Sequence, residues 1–313
     1  MVRTVVERVR SNPTQFGEVE IHPRTLLSLA VDGWSAWLEE HLVPVGELMG
    51  RYGTGFPLAT AELRFLRPFT FLSANSFTRE TSVVFRRPRD LSVTCDTVFR
   101  HHGEDGEDGE DGEDGEDFAE VRLTATVSRF TPGTLCAAAL GAPPAELLAR
   151  LGPDERGADR RHSVLADHVA RLEATAERLT PDHHRTVTAH RHLCEPGDQW
   201  TFVPVPDLLA EAREALLLAE EATAPHLLGS LALGHHRLTF DLHRPLGLLD
   251  SARLTTTAYQ DGAGLAFVHR VTSARGEPHA LALETLRPSP AGEPPRGAGN
   301  PAESATMTPG GPP

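Results

Sequence analysis

The sequence predicts an α+β protein made of two tandem copies of one unit, each a long buried helix wrapped by an antiparallel sheet. Three observations carry this prediction. The stretch Leu63-Arg64-Phe65-Leu66-Arg67-Pro68 is echoed by Leu238-Thr239-Phe240-Asp241-Leu242-His243-Arg244-Pro245. A proline-started helical pattern precedes each stretch, and three strand-like runs follow each. Repetition of a whole unit is a stronger guide to fold than any short motif.

The first unit spans residues 1–130. Residues 14–22 alternate apolar and polar toward their end, which predicts a short strand. Pro23 follows at a first helical position, where its missing N–H costs nothing. Leu26, Leu27, Ala30, Trp34, Trp37 and Leu38 then recur at helical spacing and predict a largely buried helix over 24–42. Gly50, Gly53 and Gly55 mark a loop. Strands are predicted over 56–67, 77–86, 91–101 and 118–130, and the last has the clearest period of two. Between the last two strands a Glu-Asp-Gly repeat fills an acidic loop over 103–117. Its like charges repel and its glycines are flexible, so it cannot fold by itself. It lacks the fixed ligand geometry of a calcium loop and reads as a solvated hairpin insertion.

Residues 131–183 form a connector. It opens rich in Pro, Gly and Ala and then carries one amphipathic helix over 163–180, stopped by Pro181 and predicted to strap across the body. The second unit spans 184–288. It has strand-like stretches at 184–193 and 199–205, then a helix over 207–223 that is apolar nearly all round. Strands follow at 233–244, 251–260, 264–272 and 279–287. Residues 289–313 are rich in Pro and Gly without periodicity and are predicted to be a disordered tail.

Composition narrows the function classes. The 313 residues carry a net charge of −14, but ten of the 44 acids lie in 104–117. The remainder has 34 acids against 30 bases, so no strongly charged body surface and no nucleic-acid partner are predicted. Cys95, Cys136 and Cys194 are scattered and odd in number. That excludes a disulfide framework and predicts a reducing, cytoplasmic setting. The opening Met1-Val2-Arg3-Thr4 lacks the apolar run of a signal peptide, and no stretch is apolar for long enough to span a membrane. His183-His184, His190/His192 and His235-His236 lack the spacing of a known metal site. No nucleophile elbow and no phosphate-binding glycine loop is present. Neither a metal nor a cofactor is predicted.

Phe65-Leu66-Arg67-Pro68 and His243-Arg244-Pro245, together with the helix start Leu208-Leu209, resemble the acyl-CoA thioesterase II family. The likeness covers the layout of most of 14–288. It implies a double-hotdog fold, an acyl-CoA or acyl-carrier-protein substrate, and hydrolysis by an activated water. A fused pair of hotdogs supplies its own interface, so a monomer or a homo-oligomer is compatible with it. The resemblance also implies a catalytic Asp on the second helix, with a Thr or Ser and a Gln nearby. By position the acid falls on Glu214, or on Glu211 if the helix slips by about one turn. Thr239 and Glu284 lie nearest to the Thr and the Gln.

The residues themselves offer a second site. His22 ends a strand and precedes the first helix, whereas its counterpart in the second half is Val205. Asp32 is an acid among Val31, Gly33 and Trp34, where it must pair, shift its pKa or face a cavity. The offset of the two is similar to that of the His and acid pair of hotdog dehydratases. A dehydratase, hydratase or isomerase acting on a β-hydroxyacyl or enoyl thioester therefore stays open, as does a non-catalytic acyl-binding hotdog protein. Arg67 and Arg244 close equivalent strands, where they could meet the phosphates of coenzyme A or a carrier arm. Trp34 is a further candidate substrate contact.

Overall fold

The computed structural model describes residues 2–86, 91–101, 115–130, 137–157, 163–195, 198–262 and 264–288. The first half contains β1 (Thr4–Arg10), α1 (Pro23–His41), α2 (Val45–Gly50), β2 (Thr54–Gly55), β3 (Leu58–Phe65), β4 (Ser76–Arg86), β5 (Ser92–His101) and β6 (Glu116–Thr126). Short elements follow: β7 (Ser128–Phe130), β8 (Ala137–Leu140), α3 (Ala145–Leu148), β9 (Arg156–Gly157) and α4 (Leu165–Thr175). The second half contains β10 (His183–Thr188), α5 (Val205–Ala219), β11 (Gly234–Leu242), β12 (Ser251–Asp261), β13 (Gly264–Thr272) and β14 (Pro278–Arg287).

One sheet runs β1-β4-β5-β6-β3-β11-β14-β13-β12-β10, with β9 beside β4. The same five-strand pattern is read outward from the centre in both directions. In neither half does the strand after the helix pair with the next strand in sequence, as a simple meander would have it. β3 instead joins β6, and β11 joins β14.

Each helix lies on the inner face of its half. α1 buries Leu26, Leu27, Ala30, Trp34, Trp37 and Leu38, a stripe with the helical period. Trp37 donates its indole N–H to the Arg3 carbonyl at 2.9 Å, tying α1 to the start of β1. Gly33 lets α1 come down onto β4: a Cβ there would stand 2.3 Å from Thr81 Oγ1, which is itself hydrogen-bonded to Thr97. α5 buries Leu209, Ala212, Arg213, Leu216 and Leu217, but Leu218 stands exposed, so this helix is amphipathic rather than apolar all round.

The structure departs from the sequence reading at several places. The strand expected over 14–22 is a 3-10 turn at Pro13–Gln15, capped by Asn12, and a single bridge between Phe16 and Ile21. The first strand lies earlier, at β1, which pairs along its whole length with β4. The connector helix ends at Thr175, and Arg178 beyond it bridges to Tyr259 in extended form. Leu165 and Val169 of α4 pack on Tyr259, Ala266 and Val268, so α4 covers the sheet of the second half. The stretch 199–205 makes only isolated bridges. Glu116 and Asp117, expected in the acidic loop, belong to β6 and pair with Arg67 and Arg100. Residues 103–114 of that loop, Cys136 and the tail over 289–313 lie outside the described residues; Cys95 and Cys194 are free thiols. Among the described residues no helix is long and apolar enough to cross a membrane.

The close approach at Gly33 gives a stability test. Gly33→Ala would gain about 1 kcal/mol of helix propensity if the position were open. Against Thr81 it is expected instead to destabilise by about 1–3 kcal/mol through overpacking. Urea unfolding midpoints decide, and a more stable alanine variant would disprove the contact.

Candidate functional site

The centre of the sheet relates the two halves. β3 and β11 pair antiparallel with Glu62 opposite Thr239, flanked by Arg64 opposite Arg237 and Thr60 opposite Asp241. A pseudo-twofold axis through the first pair exchanges the other two. Both strands carry a register shift at corresponding points, between Leu58 and Thr60 and between His235 and Arg237. A bulge of this kind re-aims the side chains beside it. Two corresponding sites result, one at each end of the strand pair.

The segments entering the helices correspond as well. Ile21 N–H donates to the Phe69 carbonyl at 2.9 Å, and Trp200 N–H donates to that of Leu246 at 2.8 Å. Gly17 N–H donates to Glu20 and Glu195 N–H to Gln199, at 2.8 and 2.9 Å. His22 N–H donates to Gln15 and Thr201 N–H to Leu193. The counterpart of His22 is therefore Thr201 and not Val205. The second half inserts Phe202-Val203-Pro204 before its helix, which displaced the sequence alignment.

At the Leu58 end lies an open cleft of about 510 Å³. Its walls are apolar, from Trp34 and Leu38 of α1, Leu48 and Met49 of α2, and Trp200 and Phe202 before α5. Trp34 stacks on Phe56, which also lines the cleft, at 5.4 Å and 19°. Glu195, Gln199, Thr201 and Arg244 supply polar groups. Glu195 is the one acid among the described lining residues. Its side chain is exposed, yet partial burial pushes its carboxyl pKa above the ordinary range. Arg244 pairs with Glu277 at 2.9 Å. An apolar pocket with a few convergent polar groups can hold a ligand chain, and a carboxyl with a raised pKa can take up a proton there.

At the other end the corresponding space is filled. His235 donates from its backbone N–H and Nδ1 to Glu20 Oε1 at 2.7 and 2.6 Å, and from Nε2 to Glu284 Oε1 at 2.8 Å. Arg213 of α5 pairs with Glu284, and Phe65 stacks on the His235 ring. His269 bonds Thr256 through Nδ1 at 3.0 Å and brings Nε2 to 3.7 Å from Glu284 Oε2. Burial alone would lower the His235 pKa, but the bonds to Glu20 and Glu284 outweigh it and raise it to about 9. Burial would raise that of Glu284, but the Arg213 charge, the bond from His235 and the nearby His269 hold it well below the carboxylate range. Leu58 and Leu123 occupy the corresponding strand positions at the cleft end.

Of the residues singled out from sequence, Trp34 and Arg244 line the cleft. His22 is exposed and caps nothing with its side chain. Asp32 falls on the solvent side of α1, 3.9 Å from Arg79, because the buried stripe runs through Gly33 and Trp34. Glu211 is exposed and paired with Arg185, Glu214 is exposed, and the helix turns Arg213 inward between them. Arg67 is exposed and paired with Glu116, at the end of β3 away from the cleft. Thr239 sits on the axis opposite Glu62, and Glu284 belongs to the closed site. Glu195, Gln199, Glu20, Arg213 and His235 were missed as site residues. Arg213 was legible, since it shares helical spacing with Leu209, Leu216 and Leu217. Glu20 and Glu195 sit in irregular turns that leave no periodic signal. Among the described residues no group of three or more His, Cys, Asp or Glu is placed to hold a metal ion.

The closed site makes stability depend on pH in two directions. The raised His235 pKa contributes fully below about 6.5, and that contribution, up to about 3 kcal/mol, is lost as pH rises through about 9. The depressed Glu284 pKa contributes above about 4.5 and is lost as pH falls below it. Urea unfolding from pH 3 to 10 should show a plateau near pH 5–6 with losses on both sides. His235→Gln should flatten the alkaline limb; an unchanged limb would refute the assignment.

No protein-family model and no curated protein matches the chain in sequence. Solved structures do match in shape. A protein described as an oleoyl thioesterase from Lactobacillus plantarum superposes with a TM-score of 0.64 at 11% identity, over 93% of this chain and 98% of that one. The 12:0-ACP thioesterase from Umbellularia californica gives 0.57 at 12% identity, over 91% and 94%. An acyl-ACP thioesterase from Bacteroides thetaiotaomicron gives 0.56 at 9% identity, over 91% and 98%. At these identities the likeness establishes the fold: the chain is a double hotdog.

Proposed function

We propose that the chain hydrolyses acyl thioesters, with the acyl group in the cleft and Glu195 as the base that activates water. The observation that carries this reading is the union, in one cleft, of apolar walls with a single rim carboxyl whose pKa is raised. The Glu195 carboxylate takes a proton from water while the water oxygen attacks the thioester carbonyl carbon. The C–S bond then breaks, and the proton passes from Glu195 to the departing thiolate, leaving a carboxylic acid and a thiol. The Gln199 amide, beside Glu195 on the rim, is the side-chain donor for the developing oxyanion. Arg244 at the mouth suits the phosphate of a coenzyme A or carrier-protein arm. The thioesterases that share the fold support the reaction class. A proton shuttle through His22 and Asp32 finds no support, because neither lines the cleft.

Purified protein offered a panel of acyl-CoA thioesters with a thiol reagent should release free thiol well above background. Glu195→Gln should lower kcat by about 10²- to 10⁴-fold with a smaller change in KM. In the wild type kcat/KM should rise with pH through the raised Glu195 pKa, since the carboxylate is the active form. Full activity in Glu195→Gln, or a mass change of one water without thiol release, would overturn the proposal.

A further inference from the structure

We infer that the acyl group held in the cleft carries an aromatic ring; this rests on the acyl-thioester reading above and narrows its substrate class. Five of the 24 lining residues are aromatic, against 6% of the chain as a whole, so rings are concentrated at this place. They arrive from separate segments: Trp34 on α1, Phe56 before β3, Phe130 at the end of β7, and Trp200 and Phe202 before α5.

Several of these rings are fixed by their surroundings. Trp34 is 7% exposed and stacks on Phe56, whose other contact is edge-on to the buried Phe85 at 5.9 Å and 69°. Phe130 can approach the chain closely because residue 55 is glycine; a Cβ on Gly55 would come within 2.0 Å of the Phe130 ring. Rings already held in place lose little freedom on binding. A planar acyl group likewise has few rotors to freeze, whereas a saturated chain freezes several and gains only buried area. Ring on ring adds a few-fold to about tenfold in affinity per pair beyond that area. A straight saturated chain against the same walls gains its buried area but none of the ring-on-ring contribution.

The test uses the full chain with phenylacetyl-CoA, cinnamoyl-CoA and decanoyl-CoA. Thiol release gives kcat/KM for the wild type, and calorimetry gives Kd for Glu195→Gln. The aryl thioesters should be preferred at least tenfold in both measurements. That ratio should fall toward one in Trp34→Leu, and also in Phe202→Leu, whose partly exposed position makes it the safer variant for folding. Decanoyl-CoA handled as well as the aryl thioesters, or a ratio that survives both substitutions, overturns the inference and leaves hydrolysis standing. Tight aryl binding by Glu195→Gln without thiol release by the wild type supports the inference and sinks the hydrolytic reading. Binding of neither class sinks both.

Discussion

Eleven described strands form one continuous sheet because β3 of the first half pairs antiparallel with β11 of the second. A slip of one residue in this pairing would turn every inward side chain outward, so burial of the inner face locks the register. With Glu62 held opposite Thr239, each half is placed on the other by a rotation, and the elements off the axis come in pairs. The bulges at Leu58 and His235, the Arg-Pro strand ends and the hairpins before the two helices all correspond across that rotation. The positions of the sites are therefore consequences of the sheet, while their character depends on what side chains each copy supplies.

The two sites differ because one binds the halves together and the other stays open. Glu20, His235, Glu284 and Arg213 are two anions and two cations withdrawn from water between the halves. Such a set gains little over well-packed apolar groups, but loss of one partner strands the others at high cost. It thus holds the first-half hairpin to β11 in one geometry. At the corresponding end Leu58 and Leu123 bring no charge to be satisfied. There the hairpin side chains can stand at a rim instead of being drawn inward, and the space between α1 and the α5 lead-in remains unfilled.

Periodicity made the scaffold readable. α1, α5 and the strands β3 to β6 and β11 to β14 repeat apolar residues at the spacing their burial demands, and both Arg-Pro ends reported the duplication. β1 escaped because as an edge strand it exposes Val6 and charged side chains, which dilutes the alternation. The site was less readable for a physical reason. Carboxylates in irregular turns carry no period, so Glu195 and Glu20 looked like surface acids. Asp32 and Glu214, placed on helices, attracted attention that their solvent-facing positions do not repay. Trp34 and Arg244 line the cleft, and each sits at a fixed point of the repeat, on the buried helix face and at the strand end.

The environments of the two copies also set Glu195 and Glu284 apart as acids. Glu284 lies beside Arg213, His235 and His269, and these cations and donors stabilise its charge so strongly that it is a poor proton acceptor. Glu195 meets the opposite condition. Burial is the cause of its shift, and the carboxyl is pushed above its ordinary range, the direction that makes it the better proton acceptor. Its correspondence with Gly17 makes the difference between the copies concrete: the same hairpin position carries no side chain in the first half and the only described cleft acid in the second. The first half instead sends its hairpin acid, Glu20, into the closed site at the position that Gln199 holds on the rim. The same two turns thus place an acid in the closed site in one copy, and an acid and an amide at the cleft in the other.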